Sequence, residues 1–407
     1  MKNIIVGQSG GPTAVINSSV AGVYKKAKEL GVEHVYGMVH GIEGFLNENI
    51  IDLDDYLKEE RNYELLKRTP SAFLGSCRYK LPALEGNEDV YEKIFNILDK
   101  YEIDALFYTG GNDSMDTIKM LSDYAKANNK KQVFMGVPKT IDNDLPITDH
   151  CPGYGSSAKY IATSLKEIIR DNASFGVVKP TVCIVEIMGR HAGWLTASAA
   201  LAKDSSSEGV DAIYLPEVDF DLDSFIANVK ELASRKSSVV IAVSEGIKTS
   251  DGKFVCEMGS EDRAVDAFGH KQLSGCASTL ANIVAKETGL KTRAIEFSTL
   301  QRAATHLASL TDINEAEMVG EKAVEEASKG ETGKMVIIVR EESGEYKSTV
   351  DTYDIHDIAN VEKKVPLEWI DTKNNQMKEE FIKYAKPLIQ GELIPFFKDG
   401  LPEHLVR

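Results

Sequence analysis

The sequence predicts an α/β protein of two αβα domains, each with a mostly parallel sheet, facing one another across an active-site cleft. Three observations predict it. Short apolar runs recur along the chain, and segments with apolar residues at helical spacing lie between them. The runs are apolar at nearly every position, as in strands covered on both faces, which is the habit of parallel sheets. There are also too many of them for one small sheet.

The first run, residues 3–7 (NIIVG), ends in Gly7. Val20, Val23, Tyr24, Ala27 and Leu30 then mark a helix over 17–30 that Gly31 stops. Further strands are predicted at 103–109, 132–137, 181–187, 210–215, 238–244, 292–297 and 334–340. Helices are expected near 88–101, 114–128, 156–170, 222–235, 274–288 and 315–328. Crossovers between parallel neighbours should be right-handed. No Pro-, Gly- or Ser-rich linker and no internal repeat divides the chain. The last stretch, 345–407, is charged and helix-prone with scattered prolines. It suits packing or subunit contact and shows no chemistry of its own.

Composition removes several function classes. The 407 residues carry 63 acidic against 47 basic side chains, a net charge of −16. Such a surface repels polyanions, so nucleic-acid binding is disfavoured, while a small phosphate in a locally basic cleft remains open. No segment approaches the roughly 18 apolar residues of a membrane span. The N-terminus lacks the apolar core of a secretory signal. The five cysteines (77, 151, 183, 256, 276) are widely spaced with no CxxC pair, as expected of a reduced cytoplasmic protein without a zinc site. The sequence also has no HExxH.

In open α/β sheets ligands bind beyond the carboxyl ends of the strands, so the residues after each strand carry the functional information. After the first strand, Gly7, Gly10 and Gly11 precede a helix start, which bares backbone N–H groups to an anion. Taken alone this serves equally as a tight strand-to-helix turn; it is neither GxGxxG nor a Walker loop. After 103–109 come Gly110, Gly111, Asn112, Asp113 and Ser114, with Ser114 placed to cap the next helix. Asp113 is either a second capping residue or a short acidic group beside bare amides, as a phosphate-plus-metal site needs. After 132–137 come Lys139, Thr140, Asp142 and Asp144; in extended chain the two carboxylates share one side. After 181–187 come Met188, Gly189, Arg190 and His191, where an Arg between glycines suits fork-like recognition of phosphate or sugar. His191 itself is read as packed or capping. Glu245 follows 238–244, Arg78 sits in a loop with Tyr79 and Lys80, and Arg293 and Arg302 lie in 291–302. Each has an ordinary surface explanation. Together they form the inventory of phosphoryl transfer: glycine-rich turns, carboxylates and arginines at successive strand ends.

The ordered set GGxxxxxN (10–17), FLGSxR (73–78), GGNDS (110–114), PKTIDND (138–144), MGRxAG (188–193), SEG (244–246) and TRA…LQR (292–302) resembles the phosphofructokinase family. The resemblance implies two αβα domains. Residues 1–150 plus about 303–345 would bind the phosphoryl donor; about 151–302 plus part of 346–407 would bind fructose 6-phosphate. It implies Mg2+, held through Asn112 and Asp113, a cytoplasmic homodimer or homotetramer, and no nucleic-acid or membrane partner. Asp142, Asp113, Lys139 and Arg78 would be catalytic. Gly10, Gly11, Gly110, Gly111 and Ser114 would hold the diphosphate. Lys139, Thr140, Asp142, Asp144, Met188, Gly189, Arg190, Glu245, Thr299 and Arg302 would bind substrate.

Two positions speak to the donor. ATP-dependent bacterial members usually read GGDGS and PGTIDND; Asp113 and Lys139 stand here where those have Gly, a pair that looks like the pyrophosphate-dependent members. The carboxylate of Asp113 fills the room a nucleotide needs and repels its α-phosphate, while Lys139 neutralises the leaving phosphate. Three positions depart from the usual family pattern: Asn112 replaces a magnesium-binding Asp, Thr299 a His or Tyr on the sugar phosphate, and Thr181 an Arg. The alternative reading is an ATP-dependent 6-phosphofructokinase. A catalytically silent sensor, or a lipid or NAD kinase sharing a GGDGT-like turn, fits less well, because PxTIDND and MGR are both intact.

Overall fold

The computed structural model describes residues 1–175, 179–258, 275–341 and 344–407. Two parallel-centred sheets organise them. The larger uses β1 (Asn3–Gln8), β2 (His34–Met38), β3 (Ile50–Asp52), β4 (Ile103–Gly110) and β5 (Val133–Pro138), then β10 (Lys334–Arg340) and β11 (Ser348–Asp354). Its order is β11-β10-β5-β4-β1-β2-β3, parallel within and antiparallel at both edges. The smaller uses β6 (Thr181–Ile187), β7 (Ala212–Tyr214), β8 (Ser238–Ser244) and β9 (Lys291–Glu296) in the all-parallel order β9-β6-β8-β7.

Side-chain alternation explains why the strands read as unbroken apolar runs. Ile4 and Val6 of β1 enter the core on one face of the larger sheet, and Ile5 enters the core on the other. In β6, Val182 and Ile184 face one core while Cys183, Val185 and Ile187 face the opposite one. Each sheet is thus sealed on both faces. The covering helices include α1 (Ile16–Glu29), α2 (Glu88–Lys100), α3 (Asn112–Ala127), α4 (Tyr154–Ala173), α5 (Leu222–Arg235), α6 (Cys276–Thr288) and α7 (Leu310–Ser328). The predicted start of α6 at residue 274 lies outside the described residues.

Three sequence expectations need correction. Ser114 does not cap α3; Gly111 does, and Ser114 sits in the first turn, its N–H donating to the Gly111 carbonyl (3.0 Å). α7 begins earlier than predicted, because the buried Asp312 lies inside its first turn and accepts N–H groups from Gly153 (2.9 Å) and Ser156 (2.8 Å). The stretch after 345 is not mainly helical: it supplies edge strand β11, one short α-helix (Glu379–Ala385), three 3-10 turns, two short hairpins and extended chain. The sequence reading also does not anticipate β2 or the edge strands β3 and β11. Their half-exposed, polar-interrupted sequences carry no continuous apolar signal.

All five cysteines are buried thiols outside any disulfide. No helix among the described residues is long and apolar enough to cross a membrane.

Candidate active site

Topology brings the glycine-rich turns together. β1 lies between β2 and β4, so the chain leaves β1 toward one side of the sheet and β4 toward the other. That reversal opens a crevice at the carboxyl ends of β1 and β4. The register keeps the ends level: Gln8 pairs with Thr109, and Gly110 with Pro138. The turns at 9–12, 110–114 and 139–144 therefore emerge side by side. In the smaller sheet Ile187 pairs with Ser244, which sets the Met188–Arg190 and Glu245 turns beside one another. These turns line one cleft of about 470 Å3, together with Arg78, Arg302 and Glu362.

On the larger-sheet side, Lys139 is buried and its Nζ donates to the Gly11 carbonyl (2.7 Å). A Cβ at Gly11 would stand 3.0 Å from Arg302 Nη1, so the turn at 10–11 runs between two cations. The two glycines after β4 do different work. A Cβ at Gly110 would fall 1.8 Å from Ser114 Oγ, whose hydroxyl bonds that of Ser9; a Cβ at Gly111 would meet only the Lys139 carbonyl at 3.7 Å. Gly110 is required by packing. Gly111 leaves a bare backbone facing the cleft at the start of α3, where N–H groups and the helix dipole favour an anion. Asp113 is exposed in that first turn and lines the cleft.

Asp142 and Asp144 both line the cleft, but not through an extended chain. Asn143 between them adopts a left-handed turn (φ 54°), and Asp142 N–H donates to Thr140 Oγ1 (3.0 Å). Burial, and then the Asp144 carboxylate, push the Asp142 carboxyl above the ordinary carboxylate range; burial does the same to Asp144. Burial lowers the Lys139 ammonium to about 8, opposed by these two carboxylates. A carboxyl and an ammonium of shifted acidity facing one cleft are the chemistry that proton and charge handling require.

On the smaller-sheet side, Gly189 has φ 134°, and a Cβ there would fall 2.7 Å from the Ala192 carbonyl. Its N–H donates to Glu245 Oε1 (3.3 Å), and Ser244 Oγ donates to its carbonyl (2.5 Å). Burial raises Glu245 to about 8. Arg302 is lowered from the usual guanidinium range by burial and then by the charge of Arg78. Two guanidiniums near enough to repel form a receptor for a multiply charged anion.

Asn112 Oδ1 and Asp144 Oδ1 are buried without a hydrogen-bond partner. Hard oxygen donors left vacant beside a glycine-rich turn fit Mg2+, which keeps waters and takes few protein ligands. Among the described residues no cluster of three or more His, Cys, Asp or Glu could hold an ion alone.

The cleft gathers most of the residues singled out in the sequence. Gly110 and Gly189 act from behind its wall. Thr299 does not reach it: the residue is exposed in the turn before Leu300–Ala303 and outside the lining. Arg293 also lies elsewhere, bonded to Asp171 (3.0 Å). His191, read as packed or capping, is exposed and lines the cleft. Two contributors were not anticipated. Gln301 is buried and accepts the Met188 N–H (3.3 Å), tying the Arg190 turn to the Arg302 segment. Glu362 reaches the cleft from the carboxyl-terminal stretch, where no local motif announces it.

The family described as Phosphofructokinase matches residues 3–327. A pyrophosphate--fructose 6-phosphate 1-phosphotransferase of Halomonas elongata is 41% identical over 403 residues, covering 98% of this chain and 95% of the relative. Its counterpart in Methylococcus capsulatus is 40% identical over 406 residues, covering 99% and 95%. The crystal structure of a pyrophosphate-dependent phosphofructokinase from Marinobacter aquaeolei superposes with a TM-score of 0.88 at 37% identity, covering 100% of this chain and 96% of that one.

Proposed function

The chain belongs to the phosphofructokinase family, and we propose that its cleft transfers a phosphoryl group from pyrophosphate to the 1-hydroxyl of fructose 6-phosphate. The products are fructose 1,6-bisphosphate and phosphate. The observation that carries the reading is the convergence of buried Lys139, the carboxylates of Asp142 and Asp144, and the Arg78–Arg302 pair in one cleft.

In this reading pyrophosphate lies on the turns at Gly10–Gly11 and Gly110–Gly111, near Ser114 and the amino end of α3. Arg78 bridges toward the transferred phosphoryl group. Met188, Arg190, Glu245 and Arg302 hold the sugar phosphate, and Gly189 shapes the turn that presents Met188 and Arg190. Asp142 takes the proton of the attacking hydroxyl; its raised proton affinity makes it a better base than an exposed aspartate. Lys139 neutralises the leaving phosphate. Thr140 and Asp144 orient the reactants. Asn112, Asp113 and Asp144 would hold Mg2+, which when bound neutralises donor charge. Phosphoryl transfer asks chiefly for such positioning and neutralisation. Because no nucleoside needs room, Asp113 can occupy the mouth of the turn. The protein works in the cytoplasm as a homo-oligomer, in glycolysis or gluconeogenesis, and the reaction runs freely both ways.

The test feeds pyrophosphate and ATP separately, with fructose 6-phosphate and Mg2+, and measures fructose 1,6-bisphosphate. Product with pyrophosphate alone is expected. Product only with ATP rejects the donor assignment.

A further inference from the structure

The turn bearing Asp142 and Asp144 is held from outside both sheets by the carboxyl-terminal stretch. Asn143 is fully buried in the left-handed conformation and uses both ends of its amide. Its Oδ1 accepts the Cys151 N–H (2.9 Å), and its Nδ2 donates to Tyr384 Oη (2.7 Å). Tyr384 Oη donates in turn to the Asp149 carbonyl (2.8 Å), so one phenol ties the two arms of the loop together. The ring is fixed independently: Trp194 and Trp369 pack on it with centroids 5.2 and 5.5 Å away, and the Arg340 guanidinium lies 4.9 Å from its centroid. Lys363 adds a second tie, its N–H donating to the Asp144 carbonyl (2.7 Å) and its Nζ to the carbonyls of Thr148 (3.1 Å) and Asp149 (2.9 Å).

We propose that Tyr384 is a positioning residue for phosphoryl transfer, locking Asn143 so that Asp142 and Asp144 point into the cleft. The inference rests on the catalytic reading of Asp142 given above. Left-handed backbone at a non-glycine residue persists only when its surroundings over-determine it, and such positions cluster at active sites. The phenol supplies part of that constraint from more than 230 residues away in sequence: the Asn143–Tyr384 separation is 241. A residue that fixes a near-attack geometry acts on the chemical step more than on substrate binding.

The experiment compares Tyr384→Phe with Tyr346→Phe in the full-length enzyme. Tyr346 lies in the same buried region and donates to Glu315, away from Asn143. Tyr384→Phe should lower kcat about 10–100-fold, while KM for both substrates changes less than about threefold. Tyr346→Phe should lower the melting temperature by a similar few degrees yet keep kcat within about twofold. Asn143→Gly keeps the backbone conformation accessible but removes the same tie, so it serves should Tyr384→Phe fail to fold. Its kcat should fall likewise, and the double variant should be no slower than the slower single. The proposal is overturned if the foldable variants at 384 and 143 keep kcat within about twofold, or if Tyr346→Phe slows the enzyme as much. Asp142→Asn is measured alongside. If it too is fully active, the catalytic reading has failed; if it is inactive while Tyr384→Phe is not, only the positioning role has.

Discussion

Two clusters of charge meet at the loop 139–150 of this chain and are treated oppositely. In the network behind the loop, each charge has its partner. His150 Nε2 meets Glu315 Oε2 (2.6 Å) and its Nδ1 meets Asp149 Oδ2 (2.7 Å). Arg340 reaches Asp149 through two nitrogens (3.1 and 2.9 Å), and Tyr346 and Ser348 donate to the other Glu315 oxygen. In the cleft, Asn112 Oδ1 and Asp144 Oδ1 lack hydrogen-bond partners, and like charges stand side by side, Asp142 with Asp144 and Arg302 with Arg78, only partly offset by the attraction of Asp142 to Lys139 and Arg302. Burying unpaired polar groups is costly. A fold that completes one cluster and leaves its neighbour incomplete reserves the vacancy for a ligand that brings the missing charges. The first is the pattern of a scaffold; the second is the pattern a ligand site requires.

The sharpest way to break this contrast is to neutralise a cleft carboxylate. Asp142→Asn should lower kcat by about 10²–10⁴ without loss of stability, because it relieves repulsion; steady-state kinetics with a melting curve decide it. Lys139→Met should reduce kcat/KM for pyrophosphate by about 10²–10³, the worth of one preorganised donor. Unchanged pyrophosphate kinetics would remove Lys139 from catalysis. In the satisfied cluster the effects should invert. Glu315→Gln should cost about 1.5–3 kcal/mol of stability in urea unfolding, as for a hydrogen bond to a charged group, with kcat hardly altered. Asp113→Gly should open the cleft to ATP as donor; if ATP remains inert, occlusion is not what excludes it.

Acidity should separate the clusters too. Burial alone would lower His150, but Glu315 and Asp149 carry it up to about 9. A proton affinity raised by folding stabilises fully below the unfolded value near 6.5 and is lost as pH rises through about 9. Melting temperature should therefore fall across that window. Activity should instead fail on the acid side: Asp142 is raised, so the acid limb of kcat/KM should lie above the range of an exposed aspartate, near 3.9. A limb at ordinary aspartate acidity would argue against Asp142 as the base.

Much of this was legible in one dimension. Strands β1, β4, β5, β6 and β8 announce themselves as apolar runs because both their faces are buried, and the residues after them define the site because the fold binds ligands there. The motifs supplied Lys139, Asp142, Asp144, Arg190 and Glu245. Local pattern could not show that Asp142 and Asp144 converge through a left-handed Asn143, that Gly111 rather than Ser114 caps α3, or that Thr299 stays outside the cleft lining. Those depend on which atoms crowd each turn.

The amino-acid order alone determined the fold class, the family and the chemical inventory, because periodicity and short motifs are properties of neighbours in the chain. Tertiary structure alone decided which buried polar atoms are satisfied and which are not, that Tyr384 and Lys363 of the carboxyl-terminal stretch bond the loop around Asp142 and Asp144, and that Glu362 lines the cleft. Partnership between residues hundreds of positions apart leaves no local signature; only the packed chain brings the donor to its acceptor.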